Sequence, residues 1–224
     1  MSRLIGVDLG TSEAKAGLFD QEGNLLRLAR CGYPIITSGE IGSAEQDPEG
    51  WWSAVCQTLR EVTQDAPAEE LAALCVQGQG PSVVMVSERG KPLNNAILWM
   101  DTRPSDARDE LSQRLGSPVS PFAHMPMAMW LAGHRQEAYA QARWFLSAWD
   151  FIAMQLCGQP VASALAYFQP FPEEQVEASG LPDKLLPVVV EAGCPIAGLT
   201  AAAAQATGLP EGLPVVAGVH DGIA

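Results

Sequence analysis

Leu4-Ile5-Gly6-Val7-Asp8-Leu9, Gly10-Thr11-Ser12, Ala14-Lys15-Ala16-Gly17-Leu18-Phe19, Gln21-Glu22-Gly23-Asn24 and Leu25-Leu26-Arg27-Leu28-Ala29 follow one another almost without interruption. Apolar runs of strand length alternate with short turn-forming segments, which predicts antiparallel strands joined by hairpins. The period then changes. Asp47-Pro48-Glu49 carries a capping carboxylate, a proline suited to the first helical position and an acid facing the positive end of the helix dipole. Trp51, Val55, Leu59 and Val62 recur behind it at helical spacing. Hairpins that run into an amphipathic helix point to an α/β domain.

Further along, Leu74-Cys75-Val76-Gln77 reads as a strand entering the loop Gly78-Gln79-Gly80-Pro81, Val83 to Val86 as a strand running into a turn, and Ala96-Ile97-Leu98-Trp99-Met100 as a strand leading into Asp101-Thr102-Arg103. Helical patches are expected at residues 105–115, 126–132, 137–144 and 149–156, whereas residues 160–195 give no firm period and read as loops with short helices. An alanine-rich helix over 199–207 is stopped by Gly208 and Pro210, and Pro214-Val215-Val216-Ala217-Gly218-Val219 is a buried strand that delivers His220-Asp221-Gly222 into a loop. No repeat of fixed period is present.

The 224 residues include 13 Lys and Arg against 26 Asp and Glu, a formal charge of −13 that repels polyanions, so neither nucleic acid nor an anionic membrane is an expected partner. Apolar residues make up 47% and charged residues 17%, a balance that supports a packed core. No segment reaches the ~20 apolar residues of a membrane span. Cys31, Cys56, Cys75, Cys157 and Cys194 are odd in number and widely spaced, and they read as reduced thiols of a cytoplasmic protein.

Two segments carry candidate chemistry. Asp8-Leu9-Gly10-Thr11-Ser12, with Lys15 close behind, places a carboxylate at a strand end before a tight turn that offers N–H groups and hydroxyls to an anion. Asp8 can hold Mg²⁺ through water, because that ion keeps several waters and takes few carboxylates. Asp221, in a glycine-flanked loop after an apolar strand, has the setting of a general base. No Walker-type or dinucleotide-binding glycine pattern is present. Trp51 and Trp52 read as helix anchors and Met125, Met127, Met129 and Trp130 as core filling. His124 and His134 lack partners at ligand spacing. His220 either shapes the site or bonds a loop carbonyl.

Leu4 to Ser12, Glu45-Gln46-Asp47-Pro48-Glu49-Gly50-Trp51-Trp52, Gly78-Gln79-Gly80, Ala96 to Arg103 and Val216 to Gly222 together resemble, in this order, the N-terminal domain of the FGGY carbohydrate kinases, the group of xylulokinase, gluconokinase and glycerol kinase. The resemblance covers nearly the whole chain. It implies a ribonuclease H-like, actin-like ATPase domain, a mixed sheet with antiparallel N-terminal hairpins and flanking helices. Residues 1–224 would supply the sugar pocket, facing a second, nucleotide-binding domain that the chain does not contain. By the same resemblance Asp221 matches the catalytic base. Gly10, Thr11, Ser12 and Lys15 match the segment facing the phosphate of ATP, Asp8 the residue facing its Mg²⁺. Gln79, Gly80, Pro81, Asp101, Arg103 and His220 fall on segments that contact, line or support the sugar. Two departures stand out. Xylulokinases resemble Gly-Gln-Met-His-Gly where this chain has Gly78-Gln79-Gly80-Pro81-Ser82, and the family's Asp-x-Ser pattern is replaced by Ala162-Ser163-Ala164-Leu165-Ala166-Tyr167.

The expected activity is ATP-dependent phosphorylation of a hydroxyl on a small ketose, sugar acid or polyol, with the isolated chain inactive because half of the cleft is missing. Its exposed cleft face would be apolar enough to form a homodimer. The alternatives are a non-catalytic module that binds sugar or protein, and an actin-like ATPase that needs no sugar.

Overall fold

The computed structural model describes residues 2–223; Met1 and Ala224, the ends of the expected domain, lie outside them. The strand β1 (Arg3–Leu9) pairs antiparallel with β2 (Glu13–Asp20), and β2 with β3 (Leu25–Gly32), as the alternation predicts. Ile5, Val7 and Leu9 are buried on one face, while Leu4, Gly6 and Asp8 lie on the other. The short β4 (Glu45–Gln46) leads into helix α1 (Pro48–Thr63), where Asp47 caps the helix by accepting a 2.9 Å hydrogen bond from the Glu49 N–H. Trp51, Val55, Leu59 and Val62 of α1 are fully buried, and the helix lies across β2 and β3. Burial of these four side chains contributes roughly 1.5–3 kcal/mol each.

After α1 the chain enters β5 (Leu71–Gly78), parallel to β1. A long excursion follows: β6 (Val84–Val86), β7 (Ala96–Ile97), α2 (Ser105–Leu115), α3 (Met125–His134), α4 (Gln136–Gln141), β8 (Trp144–Leu146), α5 (Ala148–Cys157), β9 (Val161–Ala164), α6 (Glu173–Ser179) and β10 (Val188–Glu191). It closes with β11 (Pro195–Gly198), α7 (Ala201–Thr207) and β12 (Pro214–Val216), followed by a single turn at Asp221–Ile223. The main sheet has the order β11-β12-β5-β1-β2-β3, with β1, β5 and β12 parallel at its centre and antiparallel strands on both sides. The helices α1, α5 and α7 pack together beneath one face. A second core gathers Leu111, Met125, Met127, Trp130, Phe145 and Phe171. Among the described residues no helix is long and apolar enough to cross a membrane.

Three sequence expectations change. The helix expected over 137–144 ends at Gln141, because Trp144–Leu146 pairs antiparallel with Val84–Val86, and that strand partner overrides local helix preference. The strands expected at 83–86 and 96–100 shrink to Val84–Val86 and Ala96–Ile97. Residues 160–195, expected as loops with short helices, also hold a parallel pair, β9 with β10.

Candidate active site

The parallel register brings the sequence candidates to one edge. Leu9 pairs with Gly78, and Gly78 bridges in parallel to His220, so the ends of β1, β5 and the segment after β12 lie side by side. Asp8 precedes Leu9 and Asp221 follows His220. Adjacent strands are about 4.8 Å apart, which puts the two backbones about 10 Å apart at the same edge of the sheet. Two glycines permit this closeness. A Cβ on Gly218 would lie 1.7 Å from the Val76 carbonyl oxygen, and one on Gly80 would lie 2.3 Å from the His220 ring. A side chain at Gly218 would collide with the β5 backbone, and one at Gly80 would displace the His220 ring.

The turn after β1 is held by its carbonyls. Tyr33 Oη donates to Gly10 O at 2.6 Å, Gln46 Nε2 to Thr11 O at 2.6 Å and Tyr33 N–H to Ser12 O at 3.1 Å. Burial pushes the Tyr33 phenol up, with the Asp8 and Glu13 charges adding to it, so it stays a donor. Trp99 Nε1 donates to Thr11 Oγ1 at 3.1 Å. The Thr11 and Ser12 N–H groups have no protein partner among the described residues, so the turn presents unused donors. Lys15 Nζ lies 3.2 Å from Asp8 Oδ2, both side chains partly exposed, and Asp8 Oδ1 has no partner among the described residues. A cationic amine, free N–H groups and a half-free carboxylate fit a phosphate chain with a hydrated Mg²⁺. Among the described residues no group of three His, Cys, Asp or Glu could cage a bare ion.

The loop after β5 is packed from below. Gln79 is buried and donates through Nε2 to Gln46 Oε1 at 2.8 Å, leaving its own Oε1 unpartnered. Trp51 Nε1 donates to the same Gln46 oxygen at 3.0 Å, which is the anchoring role expected of it. Pro81 is buried beside Gln79. His220 donates from Nε2 to Gly80 O at 2.7 Å and accepts at Nδ1 from the Gly222 N–H at 2.9 Å. Both ring nitrogens are thereby engaged by backbone groups, and Asp221 Oδ1 lies 3.6 Å from Nδ1. Asp221 keeps its carboxylate exposed at the rim.

Asp101 and Arg103 form a buried scaffold. The Asp101 side chain is 0% exposed and accepts from the Ala44 N–H at 2.9 Å and the Arg103 N–H at 3.0 Å. Arg103 forks onto Asp101 and Glu45, each at 2.6 Å, reaches Glu40 at 2.6 Å and stacks on Trp130. Burial works against its charge, but the three carboxylates outweigh it and hold the guanidinium protonated. Asp101 reaches the lining of a cavity of about 370 Å³ with Trp99, Arg108 and Met127, yet its hydrogen-bonding capacity is taken up internally. The pair therefore fixes the wall on which exposed Trp99 stands.

Gln46, Tyr33 and Trp99 are residues of this region that the sequence did not single out individually, and His124, which it weighed only as a metal ligand, lies nearby. Gln46 and Tyr33 carry no local signal, because their partners are more than 20 positions away. Trp99 had one, an aromatic directly before Met100-Asp101-Thr102-Arg103 at a predicted strand end.

The mixed sheet thus brings the turn after β1 and the Asp221 segment to the same end of its parallel strands. Residues 3–224 match the N-terminal domain of the FGGY family of carbohydrate kinases, and the chain belongs to that family. It is 30% identical over 169 residues to the gluconokinase of Bacillus subtilis, across 71% of this chain and 33% of that protein. To the xylulose kinase of Lactococcus lactis it is 30% identical over 168 residues, across 70% and 33%. The crystal structure of xylulose kinase from Rhodospirillum rubrum superposes with a TM-score of 0.88 at 26% identity, over 99% of this chain and 50% of that one. The fold is that of the FGGY sugar kinases, and the chain spans about a third to half of the length of these relatives.

Proposed function

We propose that the chain is the sugar-binding half of an ATP-dependent kinase that phosphorylates a hydroxyl of a small ketose, sugar acid or polyol. The observation that carries this reading is the register joining Leu9, Gly78 and His220, which sets the phosphate-facing turn and Asp221 on one edge. In this reading Asp221 accepts a hydrogen bond from the reacting hydroxyl and orients it, taking its proton as the bond to phosphorus forms. Lys15 and the Thr11 and Ser12 N–H groups would hold the transferred phosphate and offset the charge that develops on it, and Asp8 would hold the hydrated Mg²⁺. When bound, ATP supplies the phosphoryl group and Mg²⁺ offsets its charge. His220 acts through the loop: its bond to Gly80 O and its acceptance from Gly222 fix the backbone on both sides of Asp221. The names gluconokinase and xylulose kinase among the relatives support a sugar or sugar acid as acceptor.

We assign the nucleotide and the closing of the cleft to a second domain occupying the rest of the relatives' length, acting in a cytoplasmic enzyme. A coupled ADP-release assay over ketoses, sugar acids and polyols tests this. Little turnover is expected from the 224 residues alone, and sugar-dependent turnover from the protein isolated at its natural length, falling by about 10³ or more in Asp221→Asn. Sugar-independent ATP hydrolysis unaffected by that substitution would overturn the reading.

A further inference from the structure

A second cavity of about 370 Å³ opens beside His220, walled by Phe122, His124, Tyr167, Phe168 and Gln175. It therefore begins one residue from Asp221. Its polar groups are unusual in being unused. His124, at the start of α3, is 1% exposed, and its Nε2 has no hydrogen-bond partner. Gln175 Oε1 on α6 is likewise buried without a partner. The His124 ring stands edge-on to Trp149, Phe168 and Phe171 at centroid distances of 5.7, 6.0 and 5.9 Å, so three aromatics hold it rigidly. Leaving such groups unpaired costs about 1–3 kcal/mol each, which an apolar residue would avoid. No lysine or arginine lines the cavity. The two ring nitrogens of His220 are taken up by the Gly80 carbonyl and the Gly222 N–H. Burial drives His124 down to about 3, with the neighbouring His220 adding to the shift, so His124 carries no charge at neutral pH.

A sugar hydroxyl both donates and accepts, so it can satisfy His124 and Gln175 in either tautomer or amide orientation. A carboxylate only accepts, and against neutral aromatic walls its charge loses hydration with no cation in return. We propose that this cavity is the subsite for the uncharged hydroxylated end of the acceptor, with His124 and Gln175 as specificity-determining residues, so that the chain selects a ketose or polyol over a sugar acid. The proposal rests on the kinase reading above and narrows its substrate class.

Calorimetric titration of the 224-residue chain with D-xylulose, L-xylulose, xylitol and D-gluconate tests it. The expected result is that at least one uncharged compound binds tenfold or more tightly than gluconate. His124→Leu should weaken that binding about tenfold while leaving the thermal midpoint unchanged or raised, because an unpaired buried polar atom is removed. Gln175→Leu, on a less buried side chain, should weaken it severalfold and serves where the first variant does not fold. Gluconate binding as tightly as the uncharged compounds, or both folded variants binding like the parent, overturns the inference and leaves the kinase reading intact. Failure of the folded parent chain to bind any of the four removes both.

Discussion

Two sets of buried polar side chains flank the cleft, and they differ in whether they satisfy one another. Around Arg103, the buried carboxylates of Asp101 and Glu45 and the exposed one of Glu40 meet the guanidinium, and backbone N–H groups take further lone pairs. Around His124, Nε2 and the Gln175 amide oxygen remain unpaired against aromatic rings. A saturated network has nothing left for a ligand and builds the wall. An unsaturated one weakens the empty protein and waits for a partner that completes it.

The sharpest way to break this contrast is to unpair the saturated side. Arg103→Leu strands two buried carboxylates and should destabilise the chain by about 3–5 kcal/mol, measured by urea unfolding at neutral pH. A loss below about 1 kcal/mol would show that the network is hydrated and that its saturation is not structural.

An effect of comparable size, spread over several pH units, separates two buried titratable groups. Asp150 on α5 accepts from Ser147 Oγ at 2.5 Å and from the Ser163 N–H and Oγ at 3.1 and 2.6 Å, but burial outweighs these bonds and pushes it up to about 7 from 3.8. Between those values the folded state holds a proton that the unfolded state has lost. Stability contributed by Asp150 is therefore full below about pH 4 and is lost as pH rises to about 7, at ~1.4 kcal/mol per pH unit. Asp150→Asn keeps the Ser163 bonds through its amide oxygen, donates from its amide nitrogen to a rotated Ser147 Oγ, and should remove that slope. His124 runs the other way: its folded value of about 3 lies below the unfolded 6.5, so its contribution is present above pH 6.5 and lost as pH falls toward 3. His124→Leu should flatten the acid side. Unfolding curves from pH 4 to 8 check both, and identical slopes in parent and variants would mean that neither group is buried as described.

The smallest expected effect is at the exposed turn. Lys15→Ala removes a partly exposed pair at 3.2 Å and should change stability by less than about 1 kcal/mol, while abolishing most phosphoryl transfer in the full-length enzyme. A large stability loss there would place Lys15 in the scaffold instead.

Much of this was legible before any coordinates. The hairpins from β1 to β3 follow from strand-length apolar runs and turn residues, and α1 from the Asp47 cap and the 51, 55, 59, 62 stripe, because both depend on neighbours a few positions away. The end of the helix expected over 137–144 is lost because Trp144 starts a strand whose pairing partner lies some 60 positions earlier in the chain. Asp8 and Asp221 could be named as candidates, but Asp101 and Arg103 read equally well as pocket contacts until their 2.6 Å fork showed that they hold one another.

Periods, caps and turn residues are local, so the sequence by itself determined the α/β class and most elements, while the order of its motifs carried the resemblance to the family and named Asp8 and Asp221 as candidates. Which of those residues share an edge, which polar groups are spent on one another and which are left open depends on contacts between segments far apart in the chain. The bridge from Gly78 to His220 and the unpaired His124 Nε2 exist only after packing, when water has been excluded and every buried donor and acceptor must find a partner or go without.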